Sequence, residues 1–162
     1  MPNKIWNVYL SGEIHTNWRE EIASGIKSLQ LPINLENPVT IHSDSDDCGV
    51  NILGPENNSF WHDYKGASIN SIRTRKLIKD SDIVVVRFGD KYRQWNAAFD
   101  AGIAVALGKP LITLHSPDLN HALKEVDSAA SAVCADSAQV VSIMNYVING
   151  DLPKTRNTFV AE

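Results

Sequence analysis

Asp82-Ile83-Val84-Val85-Val86-Arg87-Phe88 carries apolar, mostly β-branched residues at consecutive positions instead of alternate ones. A strand with one wet face alternates. An unbroken run belongs to a strand covered on both faces, typically a parallel strand flanked by helices. Before it, a helix is expected from about residue 68, carrying Ile69, Ile72 and Leu77 and ending at Asp80-Ser81. After it comes an alanine-rich helix, roughly Ala97 to Leu107, with Gly108 as its C-terminal cap and Pro110 as its stop. Ile5 to Leu10 reads as a strand ending in Ser11-Gly12. Asn17 to Leu29 reads as a helix, with Trp18, Ile22, Ile26 and Leu29 on one face.

Further strands are expected at Pro38 to His42, Leu111 to His115 and Ser131 to Ala135, with helices near 118–126 and 137–148. Strands thus alternate with helices, which predicts an α/β, doubly wound, five-stranded parallel sheet with helices on both faces. The domain is expected over 1–150, with a polar, loosely held tail at 151–162. Ligands of such sheets sit beyond the carboxyl ends of the strands. That directs attention to Ser11-Gly12-Glu13-Ile14-His15, Phe88-Gly89-Asp90 and His115-Ser116. Ser43 to Ala67 shows no regular pattern. Its Phe60, Trp61 and Tyr64 predict an ordered lid.

The 162 residues carry 15 Lys and Arg against 19 Asp and Glu, a net charge of −4 that argues against binding a nucleic-acid polymer through phosphate contacts. No run of ~18 apolar residues is present, so no membrane span is expected. Met1-Pro2-Asn3-Lys4-Ile5-Trp6 lacks the apolar core of a signal peptide. Cys48 and Cys134 match no paired metal or redox spacing. A reducing, cytoplasmic setting is the simplest reading.

Charge is unevenly placed. Between Lys27 and Lys65 there is no Lys or Arg, while Glu36, Asp44, Asp46, Asp47, Glu56 and Asp63 are acidic. From Lys65 to Arg93 the balance reverses. Solvated helix faces account for Lys76, Lys79 and Lys91. Arg73 falls between Ile69 and Leu77 at helical spacing, where a buried guanidinium would need an anion. A structural ion pair and a ligand contact both meet that need. His42, Asp44 and Asp46 alternate as metal ligands can, but ordinary solvation explains them as well. His115 reads as a hydrogen-bonded core residue or as a site residue. Asn96 is placed to cap the alanine-rich helix, which puts Asp100 in the first turn, where the helix dipole favours the ionised carboxylate.

These residues resemble a known superfamily. Val8-Tyr9-Leu10-Ser11-Gly12, Asp82-Ile83-Val84-Val85-Val86 and Asp100-Ala101-Gly102-Ile103-Ala104-Val105-Ala106-Leu107-Gly108-Lys109-Pro110 are similar to the opening strand, central strand and nucleophile helix of nucleoside 2-deoxyribosyltransferase-like proteins. More narrowly, Gly12-Glu13-Ile14-His15-Thr16-Asn17-Trp18-Arg19-Glu20-Glu21 and Tyr92-Arg93-Gln94-Trp95-Asn96 resemble the YtoQ family.

The resemblance implies a flavodoxin-like sheet of order 2-1-3-4-5. It also implies hydrolysis or transfer at the N-glycosidic bond of a nucleoside or nucleotide-like ligand. Asp100 matches the family's nucleophilic Glu, one methylene shorter, about 1.5 Å of reach. Gln94 and Thr74 stand where the family carries acidic residues. Tyr9 would orient Asp100, and Glu13 or His15 would protonate the leaving base. Ser11, Gly12, Arg19 and Arg73 would hold phosphate. Gly89, Trp95 and Asn96 would line the site, with Trp95 or Trp61 stacking on a base. No metal or organic cofactor is implied. A homo-oligomer, dimer or larger, is. The competing reading is a non-catalytic nucleotide-binding or sensing module on the same fold.

Overall fold

The computed structural model describes residues 4–153. The expected tail lies outside the described residues from 154 onward. Five parallel strands form one sheet in the order β2-β1-β3-β4-β5. They are β1 (Trp6–Gly12), β2 (Ile33–Glu36), β3 (Ile83–Arg87), β4 (Leu111–Leu114) and β5 (Ala132–Cys134). Among the described residues six α-helices accompany them: α1 (Trp18–Ser28), α2 (His42–Leu53), α3 (Ser59–Asp80), α4 (Trp95–Ala106), α5 (Asn120–Ser128) and α6 (Ser137–Asn149). The strand order reverses at β1, so β1 and β3 form the floor of the crevice that ligands use in such sheets.

Alternate residues of β1 and β3 serve two separate cores. Val8, Leu10, Ile83 and Val85 face α1 and α6, packing with Trp18, Ile22, Ile26, Val140 and Met144. Tyr9, Val84 and Val86 face the other way, onto Ile78 of α3 and Ala97, Ala101 and Ala104 of α4. Because the side-chain period of a strand is two, Ser11 shares the face of Tyr9. The register aligns Ser11 with Val86 and Gly12 with Arg87.

Three expectations fail. The second strand is Ile33–Glu36, whereas 38–41 is irregular and His42 opens α2. Val39 and Ile41 imitate strand alternation, yet Ile41 is exposed. The stretch 43–67 is ordered as expected but not irregular, being most of α2, the connection 54–58 and the first nine residues of α3. α3 starts at Ser59, not near 68, because the Asn58 side chain accepts the Phe60 N–H at 2.8 Å and caps it there. Finally, α4 is preceded by Gln94, not by a capping Asn96.

The α2–α3 hairpin owes its tightness to missing side chains. A Cβ on Gly49 would lie 2.4 Å from the Gly66 nitrogen, and one on Gly66 would lie 2.7 Å from the Asp46 carbonyl oxygen. Among the described residues, α2 packs extensively on α3 and at most marginally on any other element. Gly49→Ala is therefore expected to cost about 1–3 kcal/mol by overpacking. In hydrogen exchange it should accelerate the α2 amides, 42–53, while the sheet amides keep their protection. Equal loss of protection in the sheet, or none in α2, would contradict this.

Candidate functional site

A cleft of about 720 Å³ opens above the carboxyl end of β1, walled by the β1–α1 turn, α2, α3 and the entry of α4. Ser11, Gly12, Glu13, His15, Arg73, Trp95, Asn96 and Asp100 all line it.

Asp100 is held between the two layers. It follows Ala97 and precedes Ala101 on α4, whose small side chains let the helix lie close to the sheet. Ser11 Oγ donates to Asp100 Oδ2 at 2.6 Å. Among the described residues, no Lys, Arg or His pairs with this carboxylate, and its other oxygen has no hydrogen bond. Because α4 begins at Trp95, Asp100 lies in the second turn, beyond the strong part of the dipole. Burial therefore decides its state and raises its pKa above the ordinary carboxylate range, opposed only by the Ser11 hydrogen bond. The expected preference for the ionised form is corrected.

Tyr9 lies beneath, fully buried. Burial and the nearby Asp100 push its phenol up to about 12, so it stays neutral at physiological pH. Thr74 lies beside it, but among the described residues no donor or acceptor meets the hydroxyl with good hydrogen-bond geometry. A buried polar atom without a partner is uncommon and often marks a functional position.

The turn after β1 is a rigid brace. Gly12 has φ +105°, and a Cβ there would lie 2.1 Å from the Arg87 carbonyl oxygen. That contact lets the Glu13 N–H reach Arg87 O at 3.1 Å and turns the Glu13 side chain inward. Its carboxylate accepts from the His15 N–H at 2.6 Å, Thr16 Oγ1 at 2.8 Å and Arg87 Nε at 3.3 Å. Burial alone would raise its pKa, but the bonds from Thr16 and His15 and the Arg87 charge outweigh it and hold Glu13 below its ordinary value. An ionised, saturated carboxylate does not suit the expected role of proton donor. His15 remains exposed on the cleft wall, its ring 4.8 Å from that of Tyr92.

Arg19 departs from its expected role too. Its guanidinium is buried and donates to the carbonyls of Leu10 (3.3 and 3.2 Å), Gly12 (3.1 Å) and Glu13 (2.6 Å). Burial lowers its pKa to about 10, still cationic near neutrality. Trp18 Nε1 also donates to Glu13 O, at 2.9 Å. Both side chains build the turn from behind and do not face the cleft.

Arg73 is exposed, so the burial argument for an anionic partner does not hold, although it does line the cleft and approaches Asn37 O at 3.5 Å. Gly89 is not part of the wall. Its N–H goes to Gln94 Oε1 at 2.7 Å, and a Cβ on it would lie 2.5 Å from Glu13 Cγ. Trp61 lies away from the cleft, in an exposed cluster with Phe60 and Tyr64. His115 is a core residue, hydrogen-bonded to Asp127 at 3.0 Å and Ser116 O at 2.8 Å. His42 pairs with Asp46, and no cluster of His, Cys, Asp or Glu suited to a metal occurs among the described residues. Nor is any helix there long and apolar enough to cross a membrane.

Residues 9–148 match the family described as nucleoside 2-deoxyribosyltransferase YtoQ. The uncharacterized protein YtoQ of Bacillus subtilis (strain 168) is 44% identical over 140 residues, covering 86% of this chain and 95% of that one. Among solved structures, a conserved protein from Enterococcus faecalis V583 superposes with a TM-score of 0.63 at 12% identity, covering 89% of this chain and 99% of that one. The 2-deoxyribosyltransferase of Bacillus psychrosaccharolyticus superposes with a TM-score of 0.51 at 17% identity, covering 83% and 90%. Those two likenesses concern the fold. With the profile spanning most of the chain and a relative this similar over nearly its whole length, the chain belongs to the nucleoside 2-deoxyribosyltransferase YtoQ family.

Proposed function

We propose that this protein cleaves or transfers the N-glycosidic bond of a nucleoside or nucleotide-like ligand, with Asp100 as the reacting carboxylate. The observation that carries the reading is the free oxygen of Asp100. It lines a cleft at the switch point of the sheet, with Ser11 on its other oxygen and no basic partner among the described residues. A structural carboxylate in a buried setting is normally paired, as Glu13 is.

In the proposed reaction the ionised Asp100 attacks the anomeric carbon. The bond to the base breaks, its electron pair leaves on the base nitrogen, and that nitrogen takes a proton from His15. Water or a second base then displaces Asp100 from the sugar, the logic of retaining glycoside cleavage. Tyr9, neutral and unpartnered, would turn its hydroxyl to the carboxylate as charge develops. Trp95, mostly exposed, and Asn96 offer a face and an amide to the base. Family membership supports nucleoside chemistry in general.

Incubation with nucleosides, nucleoside monophosphates and a pyridine dinucleotide, scored for free base by chromatography, should show release. Asp100→Ala should retain about 1% of the rate or less, as for loss of a nucleophile. No release from any compound, or undiminished release by the variant, sinks the reading. Ligand-induced thermal stabilisation without turnover would favour the binding module instead. Attack requires the ionised form, so the rate should fall with acid through a pKa above the usual carboxylate value of about 3.9.

The same shift predicts a stability gain. In the folded state Asp100 binds its proton more tightly than in the unfolded chain, so its contribution to stability declines as pH rises through that window. Asp100→Asn should therefore melt above the wild type near pH 7, and the difference should close as the pH falls to about 4. A variant that melts lower at every pH would contradict it.

The reading also takes the chain as a homo-oligomer. Sedimentation at micromolar concentration should show a dimer or larger species, and monomer alone would overturn this.

A further inference from the structure

A phosphate needs donors that have no other partner, and the turn after β1 has few left. Arg19 gives Nε, Nη1 and Nη2 to backbone carbonyls. The Glu13 N–H is bonded to Arg87 O and the His15 N–H to Glu13 Oε1. Arg87 is spent as well, its Nε donating to Glu13 Oε2 at 3.3 Å.

Cations without a carboxylate partner among the described residues stand on the other walls. Arg73 and Arg75 of α3 and Arg93, just ahead of α4, line the same cleft as Asp100. None of these arginines makes an ion pair with a carboxylate among the described residues. The carboxylates that share those walls are engaged, Asp46 with His42 at 3.2 Å and Asp63 with His62 at 3.3 Å. The Arg93 guanidinium lies 6.0 Å from the centre of the Trp95 ring, so a cation and a stacking surface stand together where the cleft opens.

We propose that the ligand is a phosphorylated nucleoside and that its phosphoryl group is bound by Arg75 and Arg93, with Arg73, on the α3–α4 side of the cleft and not by the turn after β1. The rest of the ligand is placed by the N-glycosidic reading above. Guanidinium groups match phosphate oxygens in pairs. One phosphate monoester carries about −1.5 to −2 charges at pH 7. Three unpaired arginines therefore suit a diphosphate better than a monophosphate.

The test is calorimetric titration of the Asp100→Asn protein, which binds without turnover, with nucleosides and their 5′-monophosphates and 5′-diphosphates. Phosphorylated ligands should bind about tenfold tighter or more than the nucleosides, with the diphosphates ahead. Arg75→Gln and Arg93→Gln should each remove about tenfold of that advantage, as expected for loss of a charge-assisted bond. Lys79→Gln, an exposed change on the same helix outside the cleft, should remove none. Monophosphates binding as well as diphosphates would limit the subsite to one phosphoryl group and overturn only that ranking. Equal affinity for nucleosides and phosphates, an equal loss in Lys79→Gln, or an advantage that survives the Arg75→Gln/Arg93→Gln pair overturns the subsite. Arginine-dependent binding by a protein that releases no base would sink the reaction and leave the subsite standing. Base release without phosphate preference would do the reverse.

Discussion

The contact between Gly12 and the carbonyl of Arg87 governs everything at the carboxyl edge of the sheet. With no Cβ at residue 12, β1 can end against β3 at a distance no other amino acid permits. The chain then folds inward. Glu13 enters a buried position, and Gly89 must stay bare to leave room for its side chain. Trp18 and Arg19 hold the carbonyls of the turn from the α1 side. The edge of β1 is therefore stiff, and Ser11 is presented to α4 from a fixed platform.

The two faces of the sheet divide the labour. The side toward α1 and α6 carries large apolar groups and no part of the cleft. The side toward α3 and α4 is built from valines and alanines, which bring a helix close enough for Asp100 to touch Ser11. That closeness strips water from Asp100 and leaves Tyr9 with an unanswered hydroxyl. Both are destabilising features within an otherwise well-packed layer. Proteins commonly keep such defects where chemistry needs them.

Much of this was legible in the sequence. The β-branched run at 83–86 and the alanine stripe of α4 announce a buried parallel strand and its covering helix, and the five-strand order follows from the resemblance they carry. What escaped was structure held by absence. α2 has no apolar stripe, because glycines at 49 and 66 make its seam, and periodicity cannot register a missing side chain. The start of α4 was misplaced by two residues, which moved Asp100 into the wrong electrostatic setting. Arg19 looked like a site residue because its partners are backbone carbonyls, invisible in a string of side chains, and Glu13 did because Arg87, which pairs with it, is far away in the sequence. Arg93 had only its basic neighbours to mark it.

The attachment of α2 has an evolutionary consequence. Because this helix leans mainly on α3, residues along its outer surface can be exchanged with little disturbance to either core. His42, Ser45 and Asp46, which form part of the cleft, stand on that loosely coupled element. Substitutions there can retune which ligand fits while the interactions around β1, on which folding depends, are left untouched.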